Sequence, residues 1–451
     1  MKFTTIYILF AVGVMTSCAE FLDLKPDQKM AVPKTLEHAD LLLNDYSSMN
    51  TGYPNLGEIA ADDYYLHPAD LSAVEQEDEK LTYTWSATLM TMSTQWQNPY
   101  KTVYLSNQAL EILEKLDRGS DVATYKQILG SAHFFRAFAF HQIATVFTMP
   151  FIAGTANQEM GIPLRLKPAL DYKSERSTLM QTYQQIINDY QLAIGNLSKV
   201  EVRKGRPHKA AAYAGLARVY LDMQDYAKAY IYADSCLQLK NNLMQYSSRN
   251  QSPRFPFDRF NEEVLFPATM LFSYGLDQFI ARVDSQLYQM YAENDYRKQL
   301  YFLHNNSDPG TYGFRGSYDN SSASPFIGLT TSEAYLIRAE SAARINRKEQ
   351  ALRDINTLLS HRIKAAEFIP ITESNNVKLL HLILDERRKE LVFRGQRWSD
   401  LKRLNQDMRF KKTLVRVLDG KEYRLEPNSL KYAHLIPELA ITESGITQNK
   451  R

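Results

Sequence analysis

Residues 384–403 read Leu384-Asp385-Glu386-Arg387-Arg388-Lys389-Glu390-Leu391-Val392-Phe393-Arg394-Gly395-Gln396-Arg397-Trp398-Ser399-Asp400-Leu401-Lys402-Arg403, the densest motif of the chain. On a helix, Glu386 and Lys389 stand one turn apart, as do Arg387 and Glu390, and both pairs can form ion pairs. Gly395 suits a left-handed helix cap, a conformation that glycine enters without steric cost. Trp398 and Leu401 can then fold back onto a core, with Asp400 free for a cap or an ion pair. Glu and Arg in such numbers could serve catalysis. A network of ion pairs locking a terminal helix to the body accounts for them better.

Working outward, apolar residues recur at three- and four-residue steps over 36–48, 95–116, 125–147, 178–197 and 377–393, which predicts helices there. Two antiparallel helix pairs are expected at 209–223 with 226–239 and at 332–345 with 348–363. In the first, Tyr213, Leu216, Ala217, Tyr220, Ala229 and Cys236 follow the large–small alternation of a tetratricopeptide repeat; Tyr335, Ala339, Ala342, Ala351 and Ile355 approximate it in the second. Cys236 takes a small-residue position and is expected to be a buried structural thiol. Between the helices, 50–94, 148–175, 241–331 and 405–451 show little periodicity. Segments of that length usually carry function or irregular substructure.

At the other end, Lys2 precedes an apolar run of about 10 residues, too short for the roughly 20 that cross a bilayer core as a helix. Its length and flanks suit a secretory leader. Thr16-Ser17-Cys18 resembles a lipobox, which makes Cys18 the expected lipidation site. The chain thus divides into a leader (1–17), a lipidated polar tether (18–35) and one helical domain (36–451), tethered to a membrane without crossing it.

A formal net charge of +2, from 53 basic and 51 acidic residues, argues against a nucleic-acid surface, which carries a concentrated basic excess. With only 2 Cys, one of them the expected lipid site, stability must come from the core. No catalytic arrangement is expected: His-Glu-x-x-His, Cys-x-x-Cys, Gly-x-Ser-x-Gly and Walker-type loops are missing from the sequence. His133 and His141 lie two turns apart, too far to share a metal unaided. Asp62-Asp63 reads as a capped turn, and residues 75–79 as a solvated charged face. No metal and no cofactor are expected.

The 384–403 stretch resembles the signature of the SusD/RagB family of outer-membrane nutrient-binding lipoproteins, an ER-x-x-EL-x-F-x-G-x-RW-x-DL-x-R run. Ser17-Cys18 with Phe21-Leu22-Asp23-Leu24-Lys25-Pro26 is similar to the family's mature start. Trp96, Tyr100, Tyr104 and Asn107, then Arg136-Ala137-Phe138, Gly205-Arg206, Ala217-Arg218 and residues 333–341, match its helices in order; Ile436-Pro437-Glu438 echoes its close. Arg394 departs from the pattern, standing where Glu is common, and Thr442-Glu443-Ser444-Gly445 replaces an Asn-Pro-Gly run. The resemblance implies a mostly α-helical SusD-like fold, with tetratricopeptide-like helix pairs on one side and a loop-rich, ligand-facing half on the other. It implies a non-enzymatic surface lipoprotein that captures oligosaccharides for a partner SusC-like TonB-dependent transporter. Peptide capture, as in RagB-like members, is the alternative from the same architecture; an exported tetratricopeptide scaffold without a small ligand is the alternative from another class.

Ligand contact is expected where aromatic rings and hydrogen-bonding side chains mix in the loops. Sugar rings present apolar faces to aromatic residues, while hydroxyls take hydrogen bonds. The first candidate group is Tyr53, Asp63, Tyr64, Tyr65 and Trp85. The second is Tyr274, Tyr312, Arg315 and Tyr318. Dense loop aromatics favour ligand capture over a pure scaffold, which needs mainly its concave helical face.

Overall fold

The computed structural model describes residues 34–116, 121–169 and 171–451. The expected leader, Cys18 and nearly all of the tether lie outside the described residues. The first described helix, α1 (Leu36–Leu43), starts at Thr35, whose hydroxyl accepts from the His38 N–H. The long helices follow in the expected order: α2 (Thr94–Lys115), α3 (Val122–Phe147), α4 (Leu179–Asn196), α5 (Lys209–Asp222), α6 (Tyr226–Leu239), α7 (Thr331–Arg344), α8 (Lys348–Ser360) and α9 (Asn376–Glu390). From α1 to α8 each packs on the next, including α6 against α7 across the 91 residues that separate them. This is the stacking of a helical-repeat array, in which a pair buries its apolar face only against its neighbours.

The sequence explains the stacking. Ala217, Ala229, Ala339 and Ala351 are fully buried, and the absence of bulk there lets helix axes approach closely. Cys236 sits among them, buried and unbridged, with its thiol pushed up to about 12 by desolvation. In α3, Phe134, Phe135, Phe138 and Phe140 are all out of solvent. A helix buried on nearly every side belongs in the middle of a core, and two of its polar members are paired there, Arg136 with Asp189 and His141 with Asp222. Gln224 and Asn346 adopt left-handed φ of 60° and 61°, turning α5 into α6 and α7 into α8.

The intervening half is built from short two-stranded ladders. Tyr64–Tyr65 (β1) pairs with Arg282–Val283 (β5), Val264–Phe266 (β4) with Leu329–Thr330 (β8), and Phe302–His304 (β6) with Tyr312–Phe314 (β7). Met160–Pro163 (β2) pairs with Arg176–Thr178 (β3) beside α4. Beneath the loops lies a second core: Ile59, Tyr64, Tyr83, Tyr246, Phe257, Tyr291, Tyr301, Phe302, Tyr318 and Phe393 pack together, separate from the helical core. Without long helices, this half is held by its aromatic rings.

The terminal motif departs from the sequence reading in two ways. The helix expected over 377–393 ends at Glu390, and α10 (Arg397–Leu404) is a separate helix. The break comes at Phe393 and Gly395, both left-handed (φ 54° and 69°). Gly395 is therefore not the cap of α9; its N–H donates to the Glu58 carboxylate at 2.9 Å. Glu386 does pair with Lys389, at 2.5 Å. Arg387, however, turns away from Glu390 to Asp400, at 2.9 Å, and Glu390 instead holds Arg362 at 2.7 Å and Arg297 at 3.2 Å. Trp398 and Leu401 are buried as expected. Arg394, the departure from the family pattern, lies 3.5 Å above the Tyr318 ring. After α10, Leu414–Leu418 (β9) and Lys421–Leu425 (β10) form a hairpin around left-handed Asp419 and Gly420. An Asp-Gly pair is a strong hairpin signal that the sequence reading passed over.

Candidate ligand-binding surface

Three buried cores decide where the expected contact residues lie: Tyr53 belongs to the helical core, Tyr64 and Tyr318 to the second, and Trp85 to a third around Trp398. Tyr53 is 1% exposed; its hydroxyl donates to the Met49 carbonyl at 2.7 Å and its ring meets Phe138 edge-on. Tyr64 donates to the Ile59 carbonyl, and Trp85 to the Ala60 carbonyl at 3.0 Å under the Arg416 guanidinium. Tyr318, 1% exposed, donates to Glu263 at 3.0 Å and hydrogen-bonds the Tyr246 hydroxyl at 2.8 Å. Arg315 gives its terminal nitrogens to the Pro253 and Gln299 carbonyls. These side chains hold the loops together from inside and present no face to a ligand.

Asp63 is also internal, bound by Arg388 at 3.0 Å. Its neighbour Asp62 takes Arg397 and Lys412, each at 2.6 Å. Burial raises the Asp63 carboxyl; at Asp62 burial acts the same way, but Arg397 and Arg388 outweigh it and hold the group well below the usual range. Asp62-Asp63 is thus an ion-pair anchor for the terminal motif, not the capped turn the sequence suggested.

Tyr65, Tyr274 and Tyr312 remain at the surface, on neighbouring elements. The β1–β5 ladder carries Tyr65 next to β7 and Tyr312. The loop bearing Tyr274 closes against the same strand, where Gly313 is required: a Cβ there would sit 1.8 Å from the Gln278 carbonyl oxygen. Tyr312 stacks on Tyr288, with ring centres 3.7 Å apart, and Tyr65 meets His67 edge-on. His67 in turn contacts Asp308 at 2.7 Å, beside Arg282.

Two residues that the sequence reading missed complete this surface. Phe272 is 66% exposed and Phe279 is 55% exposed, flanking Tyr274 at 41%. The loop that carries them is fixed from below. Between Phe272 and Tyr274, Ser273 is wholly buried; its hydroxyl donates to Glu79 at 2.9 Å and its N–H to the Ala323 carbonyl. The Gly275 N–H reaches the same carboxylate. Arg254 lies 4.8 Å over the Phe279 ring. Three exposed rings lie on a short loop anchored from inside, and side chains carried on a backbone fixed in advance lose little entropy on binding. The available signal was the Phe-x-Tyr run at 272–274 with a third aromatic at 279.

Concavities among the described residues lie elsewhere. One, of about 340 Å³, runs between α2, the 163–174 loop and the helix Glu438–Ser444, with Trp96, Tyr100 and Tyr104 on its α2 wall. Among the described residues no group of His, Cys, Asp and Glu is placed to hold a metal ion, and no helix is long and apolar enough to cross a membrane.

Comparison with known proteins agrees with this architecture. A family model described as starch-binding, associating with the outer membrane, matches residues 20–221, and the SusD family model matches residues 146–431. The chain belongs to the SusD family. SusD-like protein P2 of Formosa agariphila is 24% identical over 68% of this chain and 71% of its own length. SusD-like protein P38 of the same organism is 23% identical over 89% of this chain and 91% of its own. Among solved structures, a SusD superfamily protein from Bacteroides thetaiotaomicron superposes with a TM-score of 0.74 at 21% identity, covering 92% of this chain and 100% of that one. Surface glycan-binding protein A from Bacteroides uniformis superposes with a TM-score of 0.71 at 18% identity, covering 92% and 99%. The mostly helical, SusD-like fold expected from the sequence is the observed one.

Proposed function

We propose that this protein is a non-enzymatic, cell-surface lipoprotein that captures an oligosaccharide and passes it to a SusC-like TonB-dependent transporter. Cys18 is the lipid anchor in this reading, and residues 18–35 tether one helical domain to the outer membrane. The observation that carries it is the fixed platform of Phe272, Tyr274 and Phe279, with Tyr65 and Tyr312 on adjoining strands. Aromatic rings held in place by a buried backbone are what stacking on pyranose faces needs. The family's description as starch-binding and outer-membrane-associated points the same way.

Peptide capture uses similar side chains and is the second reading; the glycan-binding name of the B. uniformis structure favours the first. Calorimetric titration of the unacylated body against polysaccharides and mixed peptides separates the two. Saturable heat with one glycan class, lost in a Phe272→Ala/Tyr274→Ala/Phe279→Ala variant, supports capture on this platform. Heat with peptides alone moves the assignment to the second reading.

A further inference from the structure

A second cleft, of about 480 Å³, opens at the start of α3, between α1, the end of α4 and the loop at 198–206. Its lining is unlike that of the platform. Lys126, Arg203 and Arg206 face a single acid, Asp40, over an apolar floor that includes Ile128 and Leu197. Asp121, the acid that precedes α3, is taken up capping the Thr124 N–H.

Arg206 is the unusual member. It is 7% exposed, and its terminal nitrogens are committed to Asp40 at 3.0 Å and Asn44 at 2.7 Å. Its Nε is buried and has no partner among the described residues. A buried donor left unmade is costly, and desolvation draws the guanidinium below its ordinary value although Asp40 opposes this. Arg203 is 59% exposed and leans on the same Asp40 from 3.4 Å, so one carboxylate serves two guanidinium groups. The lip of the cleft is amphipathic. Val200 is 72% exposed and Val202 is 65% exposed, set among Lys199, Arg203 and Lys204 with one acid, Glu201, between the two valines. Apolar side chains projecting from a segment with a cationic excess, three cations to one acid, are the composition of a surface that meets anionic lipid.

We propose that this cleft binds the phosphate of a lipid headgroup, with Arg203, Arg206 and Lys126 as its ligands and Val200 and Val202 entering the interface beside it. The assignment does not depend on the glycan platform, which lies in the loop-rich half. On binding, a side-chain shift brings the unpartnered Nε of Arg206 from beneath the surface to one phosphate oxygen, and Arg203 and Lys126 close over the remaining oxygens by charge-assisted hydrogen bonds. The valines explain why the phosphate would belong to a lipid and not to a soluble ester.

The test uses the unacylated mature chain from Ala19, labelled for NMR observation of arginine Nε–H groups. Titrated inorganic phosphate should shift the Arg206 signal saturably, and Arg203→Glu should weaken that binding about tenfold, the value of one charge-assisted contact. Vesicles of phosphatidylcholine with phosphatidylglycerol should bind, and vesicles of phosphatidylcholine alone should not. Val200→Ser/Val202→Ser should reduce vesicle binding while leaving the phosphate titration unchanged. Lys411→Glu, a charge reversal outside the cleft, should leave both unchanged. A phosphate response without vesicle binding overturns the lipid source and assigns the cleft to soluble phosphate esters. An unmoved Arg206 signal, or equal losses from Arg203→Glu and Lys411→Glu, overturns the site.

Discussion

Arg403 closes on Glu340 through both terminal nitrogens, at 2.6 and 2.8 Å, joining α10 to the middle of the helical array with neither side chain more than 1% exposed. Breaking a buried pair by removing one partner costs more than the pair contributes, because the survivor is left charged and unsolvated. Arg403→Ala should therefore lower the unfolding free energy by about 3–5 kcal/mol, read by urea denaturation, whereas Arg403→Met/Glu340→Met should cost distinctly less. A double variant as unstable as the single one would refute this account.

The same pair sets the acid limit of the fold. Burial alone would raise the Glu340 carboxyl, but Arg403 and Arg344 pull it down to about 2 from an ordinary 4.5. A carboxylate held below its unfolded value contributes stability that is whole above that value and is lost as pH falls through the folded one. The contribution should disappear between pH 4.5 and 2, and Glu340→Gln should flatten that limb of a pH–stability curve.

Glu58 has the opposite sign. Desolvation and then Asp63 raise it to about 8, one oxygen accepts the Gly395 N–H, and the other is buried without a partner. A carboxyl raised in the folded state contributes stability that is whole below 4.5 and is lost as pH rises through 8. Glu58→Gln keeps an acceptor for Gly395 and removes the charge. Urea denaturation should find it more stable than the parent above pH 8 and similar to it at pH 4; no gain at alkaline pH would mean Glu58 stays ionised.

Gly395 and Gly420 are both left-handed, at φ 69° and 77°. A Cβ on Gly395 would come within 2.8 Å of Ile327, whereas nothing lies within 4 Å of one on Gly420. Gly420→Ala should cost only the conformational penalty, about 1–2 kcal/mol, and Gly395→Ala about 1–3 kcal/mol more for the forced repacking. Thermal denaturation of the two variants side by side decides it, and equal costs would remove Ile327 from the explanation.

Phe272→Ala, Tyr274→Ala and Phe279→Ala should each leave the melting temperature nearly unchanged, since exposed side chains away from special features matter little to stability. Together they should weaken glycan binding by roughly tenfold or more, the worth of one buried aromatic side chain. Tyr318→Ala should do the reverse in kind. It removes a fully buried ring and strips Glu263 of a hydrogen bond, costing about 3–5 kcal/mol.

The helical half was readable from sequence because period and burial coincide there. Ala217, Ala229, Ala339 and Ala351 mark close helix contacts, and all four are buried. The loop-rich half was not, for one physical reason. An aromatic residue in a segment without periodicity is either a platform or the only core that segment can build, and composition does not separate the two. Tyr53, Tyr64, Trp85 and Tyr318 proved to be core, while Phe272 and Phe279 stand in solvent. The clue was Ser273, a small polar residue between two rings, whose buried hydroxyl on Glu79 turns its neighbours outward. Arg387 shows a similar limit: spacing along one helix offered Glu390, but the partner it takes, Asp400, lies on the next.

Every cation holding Asp62 and Asp63 comes from the far end of the polypeptide: Arg388, Arg397 and Lys412, with the Arg388–Asp63 contact spanning 325 positions. A ribosome delivers the two acids first and their counterions almost last. Until then, burying the pair would strand two negative charges in the interior, so the segment around β1 has no reason to settle early. The ordering delays closure: a chain cut short before Arg388 leaves Asp62 and Asp63 without any of the three cations, and this corner can seal only once residues 388–412 have been made.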